Sequence, residues 1–248
     1  MQGSVRRRGV LAARAVSKRY GTIVAVDRID LDVPRGEVFG LLGSNGAGKT
    51  TLLKIFATLL RPDSGHATVG GIDAVADPMG VRRLIGFVPE TPALYEKLTG
   101  REFLHLVARL RGLPAKEADR GIQGVVDLLH MEAEIDREAD GLSRGMRQKL
   151  ALASAMFHRP PVLLLDEPTN GLDPRFTKIL KEWLRGYARD GNTVVLSTHV
   201  TQVAESVCDR VGIVSEGRVA ALGTVREVLS ASGSSSLEDA FSVVVGGP

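Results

Sequence analysis

Gly43-Ser44-Asn45-Gly46-Ala47-Gly48-Lys49-Thr50 is the stretch on which the fold of this chain turns. It fits the pattern G-x-x-x-x-G-K-[ST], whose chemistry needs a strand before it and a helix after it. Both are present: Glu37 to Leu42 is a short apolar strand, and Lys49 to Leu60 has helical spacing with Leu52, Leu53, Phe56, Leu59 and Leu60 on one face. Glycines let the backbone wrap so that several N–H groups point at phosphate oxygens. The positive end of the helix dipole adds to that field. In such a loop Lys49 reaches the β- and γ-phosphates and the Thr50 hydroxyl meets Mg²⁺, so Gly43 through Thr51 are the candidate nucleotide ligands. The loop alone does not separate a GTPase, a kinase and an ATPase.

Working outward, residues 10–16 and 22–33 read as strands, the second from the alternation in Ile29-Asp30-Leu31-Asp32-Val33. Further strands are expected at His66–Val69 and Ile85–Val88, around a turn-rich segment with Gly70, Gly71 and Pro78. From about Thr99 to Phe157 the period becomes helical. Phe103, Leu106, Val107 and Leu110 form one stripe and Ile122, Val125, Val126 and Leu129 another, parted by Gly112-Leu113-Pro114. Strand signals return at Val162–Leu165, Thr193–Ser197 and Val211–Val214, with helices between and after. That alternation predicts an α/β fold with a largely parallel sheet, interrupted by a helical insertion. Ser230–Ser236 reads as a Ser/Gly-rich linker before a short closing element at Leu237–Val245, and no internal repeat is visible.

Val162-Leu163-Leu164-Leu165 is a continuous apolar run, as a central parallel strand requires, and it ends in Asp166-Glu167. Two adjacent carboxylates at a buried strand end are costly unless positive charge lies there. A Mg²⁺-nucleotide supplies that charge, with Asp166 holding the metal and Glu167 polarising the attacking water. The strand at Thr193–Ser197 ends in Thr198-His199, which places a histidine at the same end of the sheet, where it could sense the γ-phosphate. His66, His105, His130 and His158 show no metal-ligand spacing.

Composition limits the partners. The 248 residues are 44% hydrophobic, 25% charged and only 4% aromatic, and the net charge of +3 gives little support for nucleic-acid binding. One cysteine, Cys208, cannot form an internal disulfide, which fits a reducing cytosol. Arg6-Arg7-Arg8 before Val10-Leu11-Ala12-Ala13 invites a leader reading, but Arg14 ends the apolar run after four residues. No segment approaches the ~20 apolar residues of a membrane span.

Leu142-Ser143-Arg144-Gly145-Met146-Arg147-Gln148, followed by an apolar helical stripe, resembles the LSGGQ signature of ABC ATPases. Ser143 is a good N-cap and Gly145 permits close backbone approach, so this helix start is a second anion site, intelligible if it closes on the nucleotide of another copy. The resemblance covers nearly the whole chain in order. It implies that Tyr20 stacks on adenine, that Glu90 in Gly86-Phe87-Val88-Pro89-Glu90 takes the Q-loop place near Mg²⁺ and water, and that His199 is the switch histidine. Asn170-Gly171-Leu172-Asp173 looks like the D-loop at the dimer interface. Two departures stand out: glutamate replaces the usual Q-loop glutamine, and Arg144 and Met146 replace a glycine and a glutamine of the signature, where Arg144 either adds favourable charge near the partner's γ-phosphate or, by default, is an exposed arginine.

The implied architecture is a P-loop NTPase (RecA-like) core with an N-terminal antiparallel β subdomain and an inserted helical subdomain. Residues 10–90 and 160–230 would form the β subdomain and core, 91–159 the helical lobe, and 231–248 a tail, all within one ABC ATPase domain spanning 1–248. Val88-Pro89-Glu90, the LSRGM-x-Q signature and Leu237-Glu238-Asp239-Ala240-Phe241 are similar to the type-2 export class. The cofactors so implied are ATP and Mg²⁺. The partners are a second copy or homologous subunit, head to tail, and a polytopic membrane permease at the cytoplasmic face of the cell membrane. A soluble ABC ATPase acting on nucleic acid or the ribosome is the alternative, but such relatives carry long coiled-coil insertions or two ATPase units, and neither is present.

Overall fold

A computed structural model describes residues 9–246; Arg6, Arg7 and Arg8 of the leader reading lie outside the described residues. Two sheets sandwich one helix. The first is antiparallel, in the order β2-β1-β4-β5, and its longest pairing is the hairpin of β1 (Leu11–Tyr20) and β2 (Ile23–Val33). The chain then enters the second sheet through β3 (Val38–Leu42), whose five residues are all buried, and turns into helix α1 (Lys49–Phe56). Strands β4 (Ser64–Val69) and β5 (Ile72–Asp73) complete the first sheet, and helix α2 (Pro78–Leu84) leads to β6 (Ile85–Val88) at the edge of the second.

Three helices follow: α3 (Gly100–Leu110), α4 (Ala115–Leu129) and α5 (Arg144–Met156). The remaining elements alternate: β7 (Val162–Asp166), α6 (Pro174–Arg189), β8 (Thr193–Thr198), α7 (Thr201–Val207) and β9 (Arg210–Ser215), then β10 (Arg218–Thr224), α8 (Val225–Ser232) and α9 (Leu237–Gly246). The second sheet runs β10-β9-β3-β8-β7-β6, and every neighbouring pair is parallel except β10 with β9.

Strand alternation divides the core into two layers. Phe39, Leu41, Val162, Leu164 and Val195 face α1 and the antiparallel sheet, together with Leu52, Leu53 and Phe56. Val38, Leu42, Leu163, Leu165, Val194 and Leu196 face the other way, toward α3 to α6. Apolar residues on both sides of each central strand are what a sheet covered on both faces demands.

Several elements depart from the sequence reading. The first helix stops at Phe56, not Leu60, because Thr58 takes φ 60° and the Leu59 and Leu60 amides both return to the Lys54 carbonyl. Leu59 is accordingly 53% exposed, outside the stripe expected of it. In α3 the buried face is Phe103, Leu104 and Ala108, while Leu110 is 76% exposed. Two overlapping stripes existed in that sequence, and packing against α4 and α5 selected the one that periodicity did not favour. Residues 230–232, read as linker, belong to α8. A capping box of Thr224 and Glu227 starts that helix, Gly233 at φ 65° ends it, and the linker shrinks to 233–236. Strand β10 was not anticipated; its cue is the Glu216-Gly217 turn, where both residues have positive φ, as a tight hairpin requires.

Candidate functional site

The phosphate loop fills the gap between β3 and α1, and its shape is fixed by packing. Gly48 caps α1 at φ 109°, and a Cβ there would sit 2.2 Å from the Ala25 carbonyl oxygen of β2. Only glycine fits both conditions. The loop is also tied to the β9–β10 turn: Gly217 donates to the Ala47 carbonyl at 3.0 Å, and Asp27 to the Gly217 carbonyl at 2.8 Å. No side chain caps α1, so its first-turn N–H groups are left to a ligand.

A cavity of about 450 Å³ opens over this loop, lined by Ala25, Asn45, Gly46, Ala47, Gly48, Lys49, Thr50, Thr51, Glu90 and Glu167. Lys49 is 6% exposed, and its ammonium donates to the Gly43 and Ser44 carbonyls at 2.7 and 3.0 Å. Burial pushes its pKa down, against the opposing charges of Glu167, Asp166 and Glu90. The lysine is therefore held at the cavity floor by carbonyls that a phosphate can replace.

The acid pair closes the other side. Asp166 ends β7 opposite Ser197 of β8, and the Ser197 hydroxyl donates to Asp166 Oδ1. The Glu167 amide donates to the Ser197 carbonyl at 3.1 Å and to its hydroxyl at 3.3 Å. Glu167 takes φ 48°, a left-handed conformation unusual for a glutamate, and Oε1 lies 2.7 Å from Nδ1 of His199. Asp166 is 1% and Glu167 4% exposed, yet Asp166 Oδ2 and Glu167 Oε2 are buried without a hydrogen-bond partner. Two orphaned carboxylate oxygens beside a phosphate loop suit a hard divalent cation. Among the described residues no group of three or more His, Cys, Asp or Glu could hold a metal by itself, so the remaining ligands would come from Thr50, nucleotide and water.

The structure thus brings Lys49, Thr50, Thr51, Glu90, Glu167 and, through Glu167, His199 and Asp166 together. Two groups of candidates stay apart. Tyr20 stands 47% exposed at the end of β1, outside the cavity lining although on the same hairpin as Ala25. Ser143, Arg144 and Gly145 start α5, also outside the lining; Ser143 accepts from the Met146 amide at 3.3 Å. Sequence reasoning missed Ala25, which contributes backbone and leaves no side-chain signal, and Ser197, whose cue was its place opposite Asp166 at a polar strand end.

The sequence profile of the family described as "ABC transporter" matches residues 26–170, more than half of the chain. The chain belongs to the ABC transporter family. Its relatives include "Daunorubicin resistance ATP-binding protein DrrA3" of Streptomyces coeruleorubidus, 41% identical over 216 residues that make up 87% of this chain and 68% of that protein. Among solved structures, "Structure of ATP binding subunit of ABC transporter" superposes with a TM-score of 0.89 at 33% identity, covering 94% of this chain and 98% of the other. "Dimeric structure of a post-hydrolysis state of the ATP-binding cassette MJ0796 bound to ADP and Pi" gives 0.77 at 26% identity, covering 86% and 98%. The chain is an ATP-binding subunit of the ABC type, and its fold is that of a P-loop ATPase. Among the described residues no helix is long and apolar enough to cross a membrane.

Proposed function

We propose that this chain hydrolyses ATP as one of a head-to-tail pair and thereby powers export through a separate membrane permease. The observation that carries the reading is the division of the site. The phosphate loop and Glu167 line one cavity, while the Ser143–Gly145 helix start, a second anion-seeking surface, lies outside it. A second copy placed head to tail would set each such helix start over the other copy's nucleotide.

Within that pair, Gly43 to Thr51 hold the phosphates and Tyr20 offers a ring to the base. Mg²⁺, when bound, neutralises charge on the β- and γ-phosphates; Thr50 and Asp166 would hold it, with Glu90 at the rim of the same cavity. Glu167 Oε2, buried and unpartnered, accepts a proton from the attacking water, and His199 steadies the other carboxylate oxygen. Ser143, Arg144 and Gly145 complete the partner's site. A relative named for daunorubicin resistance fits removal of a compound from the cell and agrees with the type-2 export features of the sequence. The helical segment at 91–159 is the expected docking lobe for a permease on the cytoplasmic side.

Pull-down of the tagged full chain from its native membranes in mild detergent tests the reading. A polytopic membrane protein in comparable amount is the expected result. Recovery of ribosomes or DNA instead would overturn export while leaving the ATPase chemistry in place.

A further inference from the structure

Gln148 is 3% exposed, one of very few polar side chains buried to that degree among the described residues, and it lies outside the nucleotide cavity. It sits one turn inside α5, and its Nε2 donates to the Pro168 carbonyl at 3.2 Å. Pro168 directly follows Glu167. The loop it opens is compact, with the Asn170 amide donating to the Glu167 carbonyl at 3.1 Å and the Leu172 amide to the Thr169 carbonyl at 3.2 Å. A second contact lies beside the first. Gly145 packs so closely that a Cβ there would stand 2.7 Å from the Gly171 carbonyl oxygen, and the Arg144 side chain lies over Gly171.

The first turn of α5 is therefore fastened at two points to the loop that leaves the catalytic glutamate. Gly145 supplies contact without a hydrogen bond. Gln148 supplies the single side-chain hydrogen bond found between the two segments, in a buried setting where a lost donor leaves a carbonyl unpaired.

We propose that Gln148 is a positioning residue that locks the Ser143–Gly145 helix start to Glu167, so that closure of one nucleotide site is felt at the other. This rests on the head-to-tail reading above, in which Ser143 serves the partner's nucleotide while Glu167 serves its own. A shift of the 167–171 loop on hydrolysis then moves α5 as a rigid lever, because the Gln148 bond joins them without an intervening flexible segment. Gln148 touches neither nucleotide; it acts through Pro168 on Glu167 and through α5 on Ser143.

The test compares Mg·ATP-driven pairing, followed by analytical ultracentrifugation, for Glu167→Gln alone and with Gln148→Leu or Gln148→Met added. Methionine keeps the length of glutamine without its donor, so it preserves folding if leucine does not. Both additions should raise the ATP concentration for half-pairing by about tenfold, the ratio that loss of one buried hydrogen bond produces. ATP affinity of the dilute monomer should stay unchanged. In chains that keep Glu167, the Hill coefficient of ATP hydrolysis should fall toward one in the same variants. Pairing at the same ATP concentration would overturn the proposal, as would a loss of monomer affinity, which would make Gln148 a local packing residue. Absence of pairing in Glu167→Gln alone would remove the two-copy reading and this inference with it, and that control is read first.

Discussion

Nδ1 of His199 lies 2.7 Å from Oε1 of Glu167, joining the residues that follow the neighbouring strands β7 and β8, with Glu167 itself in the cavity lining. The contact leaves Oε2 as the one oxygen of Glu167 without a partner, and so selects which oxygen is free to meet water.

His199→Ala should release Glu167 while leaving the phosphate loop untouched. Turnover is expected to fall by about a hundredfold or more, the scale of a lost acid–base contribution, with ATP affinity little changed. Steady-state hydrolysis together with equilibrium nucleotide binding checks both halves; a drop in affinity alone would contradict the assignment.

Ser197→Ala removes the hydroxyl that donates to Asp166 and that also accepts from the Glu167 amide. Both oxygens of Asp166 would then be buried without a partner. Metal affinity should weaken by roughly ten- to a hundredfold, as for other residues that orient a metal ligand. Titration of ATP hydrolysis with Mg²⁺ measures it, and a matching loss of about 1–3 kcal/mol in folding stability is expected from urea unfolding without nucleotide.

Gly48→Ala places a methyl group 2.2 Å from the Ala25 carbonyl at φ 109°. The loop must move off β2 or the first turn of α1 must open, at a cost of about 1–3 kcal/mol for the strained backbone alone. ATP binding should be lost and the thermal midpoint lowered. Gly46→Ala, where nothing lies within 4 Å but φ is 82°, should show the milder backbone effect without the clash.

His158 gives a prediction in pH. Both ring nitrogens are buried without a well-formed hydrogen bond, and burial, with the Arg111 guanidinium nearby, outweighs the opposing Ile85 backbone and pushes the pKa from the usual 6.5 down to about 4. Between those values the unfolded chain takes up a proton that the folded chain refuses. Stability is therefore lost as pH falls from about 6.5 toward 4, by on the order of 3 kcal/mol in total, and this contribution levels off below that. His158→Leu should flatten the decline between pH 7 and 5 in urea unfolding curves, while leaving ATP turnover at pH 7.5 close to the parent.

Much of the candidate site was legible because several of its side chains stand at strand ends. Asp166, Glu167 and His199 close apolar strands whose direction fixes where the polar end points, and Lys49 opens the helix after the loop that follows β3. Ala25 was not legible, since it contributes a backbone oxygen and a wall rather than a functional group. The strand order was hidden too: β3 lies between β8 and β9, partners more than 150 residues distant, and no local pattern encodes that insertion. Local phase failed where two solutions were close in energy, as in α3, where Leu104 and Ala108 rather than Leu106 and Leu110 face the core. The Ser-rich end of α8 was misread because composition favours a loop, while the Thr224–Glu227 capping box and the burial of Val228 decide for a helix.

The left-handed backbone of Glu167 has a consequence for anyone trying to make this protein more robust. A glutamate at φ 48° raises the energy of the folded chain by roughly 1–2 kcal/mol relative to a residue at ease there, and the buried, half-unpartnered carboxylate adds to that burden. Glycine or asparagine would relieve the backbone, and both would remove the carboxylate proposed above as the base. A thermal screen blind to turnover will accordingly enrich substitutions at this position first, and will harvest heat-resistant proteins that have lost their engine.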